Sequence, residues 1–199
     1  MTKEKLIEAA LTIYAEQGYK GTTMKKIADA IGIKAASIYF FYPNKEVLLR
    51  EVFQKILENH QKELHRISEQ TKDLPVRSGL QQLVRGVAYF HRKDVVNTKA
   101  YIQLIISDFA EFKNEFSEYL DEFEEWLLQN YFNVLADEFP YATHAEIKEC
   151  TQQIEIIANG LFWSTIVYSD DAFEKQVQAA EKLLLALISQ LKNGEDESL

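Results

Sequence analysis

Four histidines, one cysteine and a run of acids are the residues of this 199-residue chain whose types could bind a metal or attack a substrate. Helical di-iron sites place a Glu three residues before a His on one face, and none of His60, His65, His91 and His144 has that neighbour. His60 and His65 stand five apart, off a common helical face, and neither a His-Glu-x-x-His sequence nor a Cys-x-x-Cys pair occurs. The acidic stretch Asp121-Glu122-Phe123-Glu124-Glu125 reads as a solvated helix face. Cys150, in a helical pattern with Ile147 and Ile154, reads as a buried thiol and not as a nucleophile or redox sensor. These patterns predict no catalytic residue, no metal, no cofactor and no enzyme.

A different chemistry is written between Thr22 and Lys45, where the chain reads TTMKKIADAIGIKAASIYFFYPNK. Two short helical patterns are hinged at Gly32 and closed by an aromatic run and Pro43-Asn44-Lys45. A helix-turn-helix needs a bracing helix, a tight turn with a permissive residue, and a second helix short and exposed enough to enter the roughly 12 Å major groove of DNA. This block supplies all three. The net charge of −9 argues against nucleic acid as a partner, because phosphate binding needs Lys and Arg. Its distribution reverses that conclusion. Residues 1–50 carry eight Lys and Arg against five acids, a net of +3, which leaves −12 on the remainder. A basic head on an acidic body meets DNA with one end while the other repels it.

The elements that must position this block are helices. Apolar residues make up 47% of the chain, with seven Gly, three Pro and no alternating Val/Ile/Thr runs, so an all-α fold of about nine helices is expected. A first helix at 3–17 carries Leu6, Ala10, Ile13 and Tyr14 on one stripe and ends at Gly18. Thr23 caps a second at 24–31, Gly32 stops it, and a third at 35–41 ends before Pro43. Asn44 caps a long fourth at 45–69. Further helices are expected at 76–92, 97–107, 114–137, 144–167 and 171–192, the last two opened by capping boxes at Thr143-His144-Ala145-Glu146 and Asp171-Ala172-Phe173-Glu174. These divide into a DNA-binding domain at 1–46 and a helical domain at 47–199. The start of the chain lacks a signal-peptide core and no apolar run approaches the roughly 20 residues of a membrane span, which predicts a cytoplasmic protein without membrane partners.

The pattern Gly18-Tyr19-x-x-Thr22-Thr23-Met24-x-x-Ile27-Ala28-x-x-Ile31-Gly32-Ile33, followed by Ser37-Ile38-Tyr39-x-x-Tyr42-x-Asn44-Lys45-Glu46-x-Leu48, resembles the N-terminal domain of the tetracycline-repressor-like (TetR) family. The resemblance covers about the first 50 residues; the later helices agree only in number and order. It implies a ligand-responsive transcriptional regulator, of repressor type, that binds a palindromic operator in double-stranded DNA as a homodimer. Lys34, Ala35, Ala36 and Ser37 would face base edges, and Thr23, Tyr39 and Lys45 would grip phosphates. Ile38 and Tyr42 would face the core. Phe40 and Phe41 depart from the family, which often has His, Arg or Tyr there, so phosphate contacts are not expected at them, and Phe at one of them would pack on sugar or fill the core.

The family's C-terminal domain binds a small molecule and dimerises through its last two helices. Here Ile154, Leu161, Val177, Ala180, Leu184, Leu187 and Leu191 form an apolar stripe that periodicity alone reads equally as protomer core or as half of an intermolecular four-helix bundle; the resemblance favours the dimer. Tyr89, His91, Tyr101, Gln103, Phe109, Trp126, Phe162 and Trp163 are the aromatic and polar candidates for a pocket holding an apolar or aromatic effector. An effector lodged between the fourth and seventh helices would tilt the fourth and change the spacing of the recognition helices. The competing reading is a helical interaction or carrier protein that does not touch DNA.

Overall fold

A computed structural model describes residues 3–106 and 110–191. Among them the elements are helices α1 (Lys3–Gly21), α2 (Met24–Ala30), α3 (Ala35–Ile38), α4 (Lys45–Thr71), α5 (Val76–Lys93), α6 (Val95–Ile105), α7 (Ala110–Glu138), α8 (His144–Val167) and α9 (Asp170–Ile188). The chain gathers into two compact units, one of residues 1–62 and 94–120 and the other of 63–93 and 121–199.

In the first unit α1 buries Leu6, Ala10, Ile13 and Tyr14, the stripe its sequence spacing marks. Also buried in this unit are Ile27 and Ala28 of α2, Ile38 of α3 and Leu48, Leu49, Val52 and Phe53 of α4, all at most 1% exposed. Each such aliphatic or aromatic side chain stabilises by roughly 1.5–3 kcal/mol when taken from water. The Phe53 ring lies between Tyr14 and Phe112, 4.9 Å from each. Helix α6 packs along α1. At Gly18 the backbone takes φ 62°, ψ −171°, which breaks α1 into a main body and a last turn.

The second unit packs α5 against α8 and α9. Its interior holds Leu80, Leu83 and Val84 of α5, Tyr131 and Leu135 of α7, Ile147, Cys150 and Ile154 of α8, and Phe173, Val177, Leu184 and Ile188 of α9. Burial pushes the Cys150 thiol up to about 11, as expected for an inert thiol. Arg92, at the end of α5, donates to the carbonyls of Thr165 (2.5 Å) and Tyr168 (2.9 Å) and pairs with Asp170. Its cation thus meets the negative end of α8 and an acid in the first turn of α9.

Several boundaries depart from the expected ones. Helix α3 ends at Ile38, three residues early, and the chain goes on into a single turn in which Phe41 N (2.8 Å) and Tyr42 N (2.9 Å) both donate to the Ile38 carbonyl. Asp94 accepts from Asn97 N at 3.1 Å, so α6 starts two residues before the expected position. The capping box at Thr143 forms, with Thr143 N donating to Glu146 Oε2 (2.7 Å) and Glu146 N to Thr143 Oγ1 (3.3 Å). The one expected at Asp171 does not: Ser169 is the N-cap of α9, without a side-chain hydrogen bond, and Asp170 and Asp171 lie in the first turn.

Candidate nucleic-acid interface

Thr23 enters α2 from an extended conformation (φ −132°, ψ 151°) and its Oγ1 accepts from Lys26 N at 3.2 Å. The hydroxyl is used as an acceptor, which leaves its O–H to donate outward. At the other end of α2, Gly32 N donates to Asp29 O (3.2 Å) and Ile33 N to Ala28 O (3.0 Å). That pair of bonds is a Schellman motif, whose penultimate residue must be left-handed, and Gly32 has φ 69°.

The turn delivers Lys34 as the N-cap of α3, in extended conformation (φ −78°, ψ 139°) and with no side-chain capping bond. Lys34, Ala36 and Ser37 are exposed, Ala35 is half-buried, and Ile38 is the one residue of α3 that is fully buried. A four-residue helix held by one apolar anchor presents its remaining side chains outward. Tyr42, also fully buried, donates to Glu51 Oε2 at 2.6 Å and fixes the exit of the turn; burial and the Glu51 carboxylate hold its phenol above the usual range. Tyr39 is 53% exposed.

Lys45 is more constrained than the sequence implies. Its ammonium lies 3.6 Å from the centroid of the Tyr19 ring and donates to the Tyr19 carbonyl at 3.0 Å. An ammonium has three N–H donors, so two remain for an anion while the cation–π contact fixes its position. The Tyr19 hydroxyl in turn donates to Glu46 Oε1 at 2.7 Å, and this bond is the first cause that holds the Glu46 carboxyl below its usual range. Lys26 is diverted from solvent: it donates to Gln17 Oε1 (2.5 Å) and to the Gly21 carbonyl (2.9 Å), closing the end of α1. No local signal announces the Tyr19–Lys45 contact, because its partners are 26 residues apart and meet only through tertiary folding.

Of the residues expected to form an effector pocket, Tyr101 and Gln103 belong to the first unit and Tyr89, His91, Trp126, Phe162 and Trp163 to the second. Tyr101 is buried in the first unit, stacked 4.4 Å from His60, whose Nδ1 is 2.9 Å from the Tyr119 hydroxyl. Gln103 reaches Gly18, where a Cβ would stand 3.0 Å from its Oε1. In the second unit His91 meets Phe162 edge-on at 4.8 Å and Phe162 meets Trp163 at 5.2 Å, so these three are contiguous. Tyr89 bonds Glu174, and Trp126 packs on His65 at 4.2 Å. Phe109 lies outside the described residues. A cavity of about 540 Å³ in the second unit is lined instead by Asp121, Glu124, Glu125, Leu128, Gln129, Phe132, His144, Lys148, Thr151 and Gln152. A smaller one of about 110 Å³ in the first unit lies among Phe53, Leu104, Ile105, Phe112, Lys113, Phe116, Ser117 and Leu120.

The apolar stripe expected at a dimer interface lies in the core of the second unit. Ile154, Leu161, Val177, Ala180, Leu184 and Leu191 are at most 7% exposed within the second unit, and Leu187 packs against the same core. The apolar residues that α8 leaves in solvent are Ile156 (69%), Trp163 (43%), Ile166 (38%) and Val167 (68%), with Leu183 (57%) on α9.

A short, outward-facing helix after a capped helix and a left-handed glycine turn defines a helix-turn-helix protein of the DNA-binding class. Residues 6–52 match the family model described as bacterial regulatory proteins, tetR family. Over 57 residues it is 44% identical to the biofilm operon icaADBC HTH-type negative transcriptional regulator IcaR of Staphylococcus epidermidis. Over 49 residues it is 39% identical to IcaR of Staphylococcus aureus. These matches span 29% and 25% of this chain and 29% and 26% of those relatives, less than a third of their length. The whole fold is similar to the fatty acid degradation regulator FadR of Bacillus halodurans, with TM-score 0.67 and 21% identity over 92% of this chain and 94% of that one. It is likewise similar to PfmR of Thermus thermophilus, with TM-score 0.65 and 19% identity over 98% and 99% of the two chains.

Proposed function

We propose that the protein is a transcriptional repressor that binds a palindromic operator as a homodimer and is released by a small-molecule effector. The observation that carries this reading is the α2–turn–α3 block, with Lys34, Ala36, Ser37 and Tyr39 outward on a basic segment and Thr23 and Lys45 poised with spare donors. Lys34 would donate to guanine acceptors, Ser37 to acceptors of either base type, and Ala35 and Ala36 would meet thymine methyls; Thr23, Tyr39 and Lys45 would hold the backbone. Repression is supported by the negative regulators that share this block.

Dimerisation would use the outer face of α8, where Ile156, Gly160, Trp163 and Val167 repeat at four, three and four residues and so share one stripe. Two copies would then present recognition helices about 34–36 Å apart, one helical turn of DNA. Size decides where an effector would lodge. Small-molecule sites enclose about 300–1,000 Å³, so the 540 Å³ cavity qualifies and the 110 Å³ one does not. Helix α7 lines that cavity with Asp121 to Phe132 and carries Phe112 and Phe116 of the first unit, and the effector would act by preferring one of two arrangements of this helix and α4.

Operator selection from random duplex DNA tests the reading, followed by affinity measurements across a salt series and a panel of metabolites. The expected result is an enriched palindrome, bound with a steep salt dependence that Lys45→Ala reduces by about one unit of log–log slope per half-site. Failure to enrich any palindrome, or effector binding that leaves operator affinity unchanged, refutes it.

A further inference from the structure

Phe40 is 87% exposed, the most exposed large apolar side chain among the described residues, and it stands at the end of the recognition helix. Folding gives little reason for this placement, since the ring meets the edge of Phe41, 5.2 Å away at 83°, and is otherwise largely in solvent. The backbone explains its direction. Tyr39 keeps helical angles (φ −62°, ψ −15°), and Tyr42 N donates to the Ile38 carbonyl four residues back, so the chain keeps its helical sense past the end of α3. Ile38 and Tyr42, four apart, both point inward and are fully buried. Ala36 and Phe40, also four apart, both point outward. Phe40 therefore extends by one turn the face that carries Ala36 and Ser37.

A phenyl ring has no donor or acceptor, so it can neither hold a phosphate nor bond a base edge. The apolar group that a base offers in the major groove is the thymine C5-methyl. We infer that Phe40 is a specificity residue that packs on a thymine methyl at one fixed position of each operator half-site. This rests on the proposed operator binding. It adds an apolar reader to a recognition helix whose other base-facing side chains, apart from Lys34, are small.

The test uses the full chain and the selected operator with each thymine replaced in turn by deoxyuridine, which removes the methyl and nothing else. Burying one methyl group corresponds to roughly a fourfold change in affinity. For the native protein, uridine at one position per half-site is expected to weaken binding about fourfold. Phe40→Ala should bind the thymine operator more weakly and lose its sensitivity at that position alone, with an unchanged melting temperature because the ring is in solvent. Phe40→Leu, still apolar, should retain part of the sensitivity. Phe40→Ala that keeps the native sensitivity at every thymine overturns the inference, as does a loss of affinity equal on thymine and uridine operators, which would assign the ring to deoxyribose. A native protein that enriches no DNA overturns the regulator reading itself, an outcome distinct from tight operator binding without a Phe40-dependent thymine.

Discussion

Gly32 and Gly18 both have positive φ, yet the structure predicts different responses to the same substitutions. At Gly32 an added Cβ meets nothing within 4 Å, so Gly32→Ala costs only conformational energy. A left-handed L-residue costs roughly 1–2 kcal/mol, and the stiffer unfolded chain returns about 0.4–1 kcal/mol, leaving a net loss of about 1 kcal/mol. Asn tolerates the left-handed region, so Gly32→Asn should lose only a few tenths of that unit. Gly18 is different because ψ is −171°, a region open essentially to glycine alone and costing about 1–3 kcal/mol for other residues. The Gln103 carboxamide stands 3.0 Å from the new Cβ as well. Gly18→Ala should therefore cost more than Gly32→Ala, and Asn should not rescue it. Thermal unfolding followed by circular dichroism reads the difference, since about 1 kcal/mol shifts the midpoint of a chain this size by roughly 2–4 °C. Rescue by Asn at both glycines, or a larger loss at Gly32 than at Gly18, would refute the assignment of the two backbone conformations.

Tyr19→Phe removes the hydroxyl that donates to Glu46 but leaves the ring beneath Lys45 and the carbonyl that Lys45 bonds. Because the Glu46 pKa is lowered in the folded state, the bond stabilises fully above the ordinary carboxylate value of 4.5 and is lost as pH falls through the folded value. Native and variant stabilities should thus differ by about 0.5–1 kcal/mol at pH 7 and converge in acid; a difference that persists at pH 2 would show another cause. Cys150 should resist a thiol reagent at pH 8 in the native protein and react fully once unfolded, because it is 4% exposed and its pKa is about 11; rapid native labelling would contradict its burial. Ile156→Asp with Val167→Asp should give a folded monomer with a near-native melting profile and greatly weakened operator affinity, as read by light scattering and DNA titration, whereas a persistent dimer would exclude this face of α8.

What could be read from the sequence was what depends on residues close along the chain. The core stripe of α1, the caps at Thr23 and Thr143, the Asn44 cap with Val47 N at 2.8 Å and the turn at Gly32 are all local, and each forms. Contacts made across the fold left no local trace: Lys45 held by Tyr19, Gln103 placed against Gly18, Tyr101 stacked on His60. The aromatic residues expected to line an effector pocket were chosen by type, and packing places them in several separate ring clusters. The apolar stripe of the last helices shows a subtler limit. Ile154, Leu161, Val177 and Leu184 repeat with helical spacing because they face the interior, and a strong periodic stripe is by its nature the face a protomer buries first. A surface kept for a second copy must be sought out of phase with it. In α8 such a second apolar phase is present, as Ile156, Trp163 and Val167 between the core positions, and it is this phase that the proposed dimer would use. The same logic applies to Phe40, whose apolar ring is out of phase with Ile38 and Tyr42 and therefore belongs to whatever α3 meets outside the fold.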